Sequence, residues 1–256
     1  MLPALKSIIT RLSASSRISL PRNDEAGITP RPSIGKITKV LFQTSKNRQP
    51  KYLVRMIQSR INPSWRYQHF NDDEIIQFFN ENPHPEFPQI IERFDLLNNG
   101  AHKADLFRYY YLYLRGGVFM DSDAMIYRNI NQIIKDYSFF SVNSTAHPGS
   151  IFQGIIGAEA NNPIIYMALQ DAYEIDLNLL KNNYHQLCRN LYKIIHTNSF
   201  DFKIKLYREL RENTKGDRIL DDDQNVIFMH YWKDKKIPRH RALPNKKAKK
   251  GVMPLF

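Results

Sequence analysis

Gly116-Gly117 interrupts an aromatic-rich helical pattern and, three apolar residues later, delivers the chain to a pair of aspartates. Ala104, Phe107, Tyr111 and Leu114 recur at i, i+3, i+7 and i+10, the spacing of one helical stripe. Glycine ends such a helix because it enters the required backbone conformation without a Cβ penalty. Val118-Phe119-Met120 has no polar side chain, as expected of a strand covered on both faces. Asp121 and Asp123 follow it. Residues i and i+2 of an extended chain point the same way, so the two carboxylates are expected to converge beyond the strand. They repel each other unless a cation lies between them or one takes a proton. Hard oxygen ligands favour Mg²⁺ or Mn²⁺, ions that substrate phosphates commonly complete. An isolated Asp-x-Asp is more often a solvated turn. Here the buried strand before it argues for a ligand site at the carboxyl end of an α/β sheet.

Lys103, Asp105, Arg108, Tyr109, Leu112, Gly116, Gly117, Phe119, Asp121 and Asp123 together resemble the signature of the DXD sugar-transferase family. That family includes fungal mannosyltransferases that initiate outer chains, bacterial capsule and lipopolysaccharide transferases and, distantly, the clostridial glucosylating toxins. Phe119 stands where the family usually has tyrosine. The resemblance is specific from Leu97 to Arg128 and weaker from Lys36 to Trp232. It implies an α/β fold of GT-A type, a single Rossmann-like nucleotide-sugar-binding domain with a mostly parallel central sheet flanked by helices.

At 256 residues the chain is long enough for one substantial core. Hydrophobic content of 42% places it among folded globular proteins rather than disordered ones. Cys188 is its single cysteine, which excludes an intrachain disulfide and a Cys-x-x-Cys metal site and fits a reducing cytoplasm. No run of about 18 apolar residues marks a membrane span, and Leu2 to Leu20 lacks the apolar stretch of a secretory signal. The net charge of +12 attracts phosphate-bearing partners, so an anionic membrane surface is a candidate partner. Lys246, Lys247, Lys249 and Lys250 form a basic cluster.

The expected organisation is an amphipathic segment and linker over residues 1–35, a catalytic domain over 36–240 and a basic tail over 241–256. Ile37 to Phe42 reads as the first strand, Lys51 to Ile61 as a helix and Asn62 to Phe70 as a turn and second strand. Asn71-Asp72-Asp73-Glu74 caps a helix through Phe79, and Gln89 to Leu97 forms another. Ser138 to Asn143 and Ser150 to Ala158 read as strands, with a helix opened by Asn162-Pro163. Lys181 to Phe202 and Ile204 to Leu210 read as helical, Asp221 to Asp223 as a loop, and Asn225 to Trp232 as a late strand.

The resemblance distributes roles over these elements. Phe42, Gln43 and Thr44, leaving the first strand, would contact nucleotide together with Asp121. Asp105 and Arg108 share a helix face. As a surface pair they contribute a few tenths of a kcal/mol; by resemblance they hold donor-sugar hydroxyls. Asp121, Asp123 and His230 would bind the metal, and Gln153 would lie near the anomeric carbon with Asp121 and Asp123. The implied activity is transfer of a hexose, with retention, from a nucleotide-sugar donor to a saccharide or lipid-linked acceptor. It would serve cell-surface polysaccharide or lipopolysaccharide synthesis in the cytoplasm, on the inner face of the membrane if the protein docks there. Two alternatives stand beside it. An Asp-x-Asp phosphotransferase expects Thr or Val where the chain has Met125. A basic nucleic-acid-binding module lacks any zinc, helix-turn-helix or RNP-like pattern here, so no nucleic acid is expected.

Overall fold

The chain alternates strands and helices along its length, and the computed structural model describes residues 36–211 and 216–231. The amphipathic segment over 1–35, Trp232, the end of the domain and the basic tail over 241–256 lie outside the described residues. The described residues fall within one compact unit that runs from Pro32 onward.

The strands are β1 (Val40–Thr44), β2 (Arg66–Phe70), β3 (Gly117–Met120), β4 (Ala124–Ile126), β5 (Phe139–Asn143), β6 (Ile151–Ala158), β7 (Ile204–Leu210), β8 (Asp217–Leu220) and β9 (Val226–His230). They form one sheet in the order β2-β1-β3-β6-β5-β7-β8-β9-β4. The helices are α1 (Lys51–Arg60), α2 (Asp72–Glu81), α3 (Ile90–Leu96), α4 (Gly100–Arg115), α5 (Ile130–Ile134), α6 (Pro163–Glu174), α7 (Leu177–Asn182) and α8 (Gln186–Thr197).

The expectation of a mostly parallel sheet is corrected. Only β1 with β2, β1 with β3, and β5 with β7 pair in parallel. The five remaining neighbours are antiparallel. The physical reason is connection length: β5 to β6 and β7 through β9 are joined by short loops, which permit hairpins but not helical crossovers. Even so, β1, β2, β3, β5, β7 and β9 all run in one direction, with β6, β8 and β4 inserted between or beside them. The carboxyl ends of six strands therefore share one edge.

Connectivity also forces curvature. β3 and β4 stand six places apart in the sheet, roughly 29 Å if it were flat. Asp121, Ser122 and Asp123 alone connect them, a reach of at most roughly 14 Å. The sheet must curl until β4, carried on β9, returns beside the end of β3.

Alternation along the strands separates two cores. Val40, Phe42, Phe119, Phe139 and Ile156 face helices α2, α3, α4, α6 and α8. Leu41, Val118, Met120, Phe140 and Ile155 face the inside of the curl with α1 and α5. The α4 stripe read from Ala104, Phe107, Tyr111 and Leu114 is too narrow. Leu106, Tyr109, Tyr110 and Leu112 are also buried, while Ala104 and Leu114 are only partly so. The helix is sandwiched between the sheet and α6, so more than one of its faces is enclosed.

Three further elements depart from expectation. Ile204–Leu210 is strand β7, paired to β5 and β8 on its two edges, because ladder hydrogen bonds override an ambiguous seven-residue pattern. Of the helical stretch expected from Lys181 to Phe202, Lys181 and Asn182 end α7, Asn183–His185 break the helix, and α8 runs only to Thr197. Strands β4 and β8 and helix α5 had no expectation. By contrast, Asn71 caps α2 as read: its side chain accepts from the Glu74 backbone, and Glu74 accepts from the Asn71 N–H, a reciprocal pair that satisfies two exposed donors.

Candidate functional site

The cavity that contains the aspartates opens on the shared edge and encloses about 660 Å³. Its floor is the Asp121–Asp123 linker. The linker is a turn rather than extended chain, with the Ala124 N–H donating to the Asp121 carbonyl at 3.0 Å. Convergence of the carboxylates therefore rests on the turn and on β9, not on strand periodicity. β4 pairs with β9 so that Ala124 lies opposite His230, and the Tyr231 N–H donates to the Asp123 carbonyl at 2.8 Å. This register sets the His230 Nε2 3.2 Å from Asp123 Oδ1. Asp121, Asp123 and His230 each offer a ligand atom within 4.8 Å of the others.

Neighbouring glutamines fix the turn by its carbonyls. Gln43 Nε2 donates to the Asp121 carbonyl at 2.8 Å, and Tyr67 donates its hydroxyl to Gln43 Oε1 at 2.8 Å. Gln49 Nε2 donates to the Ser122 carbonyl at 2.9 Å. Both ends of the Gln43 amide are thus engaged within the protein. Phe42 is fully buried among Phe70, Phe107, Tyr111 and Phe119, so its ring is core and does not reach the cavity. Of the three residues at the end of β1, Thr44 lines it.

Asp105 and Arg108, on α4, are brought to the same cavity. Arg108 is only 4% exposed. It lies 3.0 Å from Asp105 Oδ1 and 3.8 Å from Asp121 Oδ1, and its guanidinium covers the Phe119 ring at 4.2 Å. It also donates to the carbonyls of Ala104 and Gln153. A buried cation is stable only when compensated in this way. Arg108 is accordingly a fixed positive centre between α4, β3 and β6.

Gln153 lines the cavity and is 3% exposed, and neither atom of its amide has a hydrogen-bond partner among the described residues. An unmatched buried amide costs about 1–3 kcal/mol, a cost that a polar ligand group in the cavity would relieve. Gly154 was not foreseen. Its carbonyl accepts from the Asp121 N–H at 2.8 Å, and a Cβ there would collide with Asp121 Oδ2 and the Phe152 ring. The available signal was a glycine inside an apolar strand, which marks close approach.

Protonation in the site follows from burial and charge. Burial raises the pKa of Asp105 and of Asp121 against the opposing pull of Arg108, and Asp123 adds to the rise at Asp121. At His230 burial pulls downward, but its hydrogen bond to Asp123 and the charges of Asp123, Asp121 and Asp217 outweigh it, for a net rise. An acid with a raised folded pKa keeps its proton longer in the folded state, so stability falls as pH rises from its unfolded value through its folded one. A raised histidine adds stability below its unfolded value and loses it as pH passes the folded value. Both effects disfavour the cation-free protein as pH rises, and protons compete with a cation for the same atoms. MnCl₂ is therefore expected to raise the melting temperature more at pH 8 than at pH 6. Equal or reversed shifts in a thermal melt would contradict this.

The donor set suits a divalent cation: two carboxylates and an imidazole, hard or borderline ligands converging on one point. Residues 48–140 match the family described as the glycosyltransferase sugar-binding region containing DXD motif. Over 69 residues the chain is 38% identical to the initiation-specific alpha-1,6-mannosyltransferase of Saccharomyces cerevisiae, covering 27% of this chain and 14% of that protein. Over 106 residues it is 26% identical to an uncharacterized glycosyltransferase of Acanthamoeba polyphaga mimivirus, covering 41% of each. The chain thus spans less than half the length of these curated relatives. Among solved structures, the PaToxG glycosyltransferase aligns with TM-score 0.44 and 12% identity, over 63% of this chain and 68% of that one.

Proposed function

We propose that this chain, whose residues 48–140 match the family of glycosyltransferase sugar-binding regions containing the DXD motif, is a member of that family and moves a hexose from a nucleotide-sugar donor to a saccharide or lipid-linked acceptor. The observation that carries the reading is the convergence of Asp121, Asp123 and His230 beside a compensated buried guanidinium and an unpartnered buried amide. Asp121, Asp123 and His230 would hold Mn²⁺ or Mg²⁺. Bound there, the ion supplies a Lewis acid that neutralises charge on the departing diphosphate.

The remaining steps fall to the chain itself. Thr44, with Lys46 beside it, lines the β1 side of the cavity and receives the nucleotide. Asp105, held by Arg108, accepts a hydroxyl of the donor sugar and orients the ring. Arg108 acts through position: it restrains Asp105 and Asp121 and adds positive potential where negative charge develops. In transfer with retention, the bond from the anomeric carbon to the diphosphate oxygen breaks with its electrons on the diphosphate. The acceptor oxygen attacks on the same face, and its proton passes to the departing phosphate oxygen. The Gln153 amide lies near the anomeric carbon and offers its carbonyl dipole to the positive charge that builds there.

This reading includes a GT-A type architecture and a role in cell-surface polysaccharide synthesis at the cytoplasmic face. The net charge of +12 supports attraction to anionic lipid or phosphorylated glycolipid. No described helix is long and apolar enough to cross a membrane. The test is a screen of sugar nucleotides for hydrolysis with and without Mn²⁺. Release of free sugar from one donor, dependent on the ion, is expected; no release from any donor would overturn the reading.

A further inference from the structure

The cavity wall beyond Asp121, on the β5–β6 side, is built of rings. The sheet order places β6 and β5 across β3 from β1, so the loop 144–150 faces the site from the side opposite Thr44 and Lys46. His147 on that loop meets His185, which precedes α8, with ring centroids 3.9 Å apart. Tyr184 packs edge-on against His185 at 4.9 Å and remains 53% exposed. All three line the cavity. A half-exposed tyrosine at a cavity wall offers a ligand the apolar face of its ring and the polar handle of its hydroxyl.

Two separate devices hold these rings in place. Buried Glu209, on β7, accepts from the Ser144 hydroxyl at 2.9 Å and from the N–H groups of Thr145 and Ala146 at 2.8 and 3.2 Å. Such bonds to a carboxylate are stronger than neutral ones. Ser144 Oγ accepts from the His147 N–H, and Ser150 donates to the His147 carbonyl, so the loop is closed on itself. On the other side, the buried His102 of α4 places Nε2 3.0 Å from the Tyr184 carbonyl. The rings are therefore presented rather than left to fold back, and a presented surface binds with less ordering cost.

Their surroundings identify the ligand. Burial raises the Tyr184 pKa, and the charges of Asp105 and Asp121 raise it further, so its hydroxyl keeps its proton at neutral pH. Burial, with His147, Arg189 and His102, lowers the His185 pKa, leaving a neutral imidazole near pH 7. The neutral rings of Tyr184 and His185, with their hydrogen-bonding edges, suit a neutral polyol whose C–H groups form an apolar face. They suit a diphosphate poorly.

We propose that Tyr184, His185 and His147 form the subsite for the acceptor's sugar ring, which stacks on them and turns a hydroxyl toward the centre at Asp121 and Gln153. The inference rests on the transferase reading and names the substrate class that this side of the same site receives. Because the acceptor is unidentified, the probes are methyl α-glucoside, methyl α-galactoside and methyl α-mannoside. Saturation-transfer NMR is run on the full chain with Mg²⁺ and a nucleoside diphosphate. At least one glycoside is expected to receive saturation on its ring protons. Tyr184→Ala should lower that signal at least fivefold and Tyr184→Phe should retain most of it, with nucleoside diphosphate affinity changed less than twofold. An unchanged signal in Tyr184→Ala, a loss that Phe does not rescue, or no signal for any glycoside overturns the subsite. Failure of the transferase reading is seen separately, as absence of ion-dependent donor hydrolysis in the unsubstituted chain.

Discussion

Asp123→Asn is expected to reduce ion-dependent donor hydrolysis by about 10²–10³-fold, the scale of losing one group that stabilises developing charge, while leaving the fold intact. Asparagine keeps the size of the side chain, and the turn is held by backbone bonds: the Asp123 carbonyl accepts from Tyr231 and the Asp121 carbonyl from Ala124. What is lost is one anionic ligand and the partner of His230, 3.2 Å away. Without that charge, the imidazole also loses the main groups that lift its pKa against burial. Circular dichroism and melting temperature should therefore change little while turnover collapses. Turnover within tenfold of the parent would remove Asp123 from the chemistry.

Gly154→Ala should produce the second large effect by a different route. A methyl group there meets Asp121 Oδ2 and the edge of the Phe152 ring. The backbone cannot withdraw, since the Gly154 carbonyl accepts from the Asp121 N–H at 2.8 Å within an antiparallel pair. The Asp121 carboxylate must swing away instead. Over-packing of this kind costs about 1–3 kcal/mol of stability, but displacing a reacting group by about 1 Å can cost about 10²-fold in rate. Steady-state hydrolysis and thermal melts together check it. A variant that melts normally and turns over normally would show that the contact between β3 and β6 does not set the site.

At these two positions local sequence signals and long-range pairing contribute unequally. The acidic pair, its buried strand and the helix bearing Asp105 and Arg108 are legible because a helical stripe, a glycine break and an all-apolar run are local signals, although the carboxylates meet through a turn and not through strand alternation. The β9 partner His230 was visible as a polar residue ending an apolar run, though why it meets Asp123 depends on a register between β4 and β9. β4 is three residues long and carries no pattern of its own. Within Ile204 to Leu210, Ile204, Tyr207 and Leu210 fit a helical stripe as well as a strand. Pairing with β5 decides it, which no seven-residue window contains. Strand direction was equally hidden, since parallel or antiparallel pairing follows from loop lengths and curl.

Side-chain placement is hidden for the same reason. Phe42 and Gln43 occupy the expected place at the end of β1. Alternation, however, turns Phe42 into the helix-facing core and Gln43 toward the Asp121 carbonyl. Arg108 is held largely by protein groups rather than presented openly to a sugar. Gln49 and Glu209 lie in no motif, and only the folded chain brings them to the turn and to the loop 144–150.

The central claim is that Asp121, Asp123 and His230 share one divalent cation that engages a nucleotide diphosphate. Crystals of the full chain grown with Mn²⁺ and a nucleoside diphosphate, measured at the manganese edge, test it directly. The account predicts a single anomalous peak within coordination distance of all three side chains and of the diphosphate oxygens. A peak elsewhere, or a diphosphate bound with no manganese beside Asp123, would contradict it.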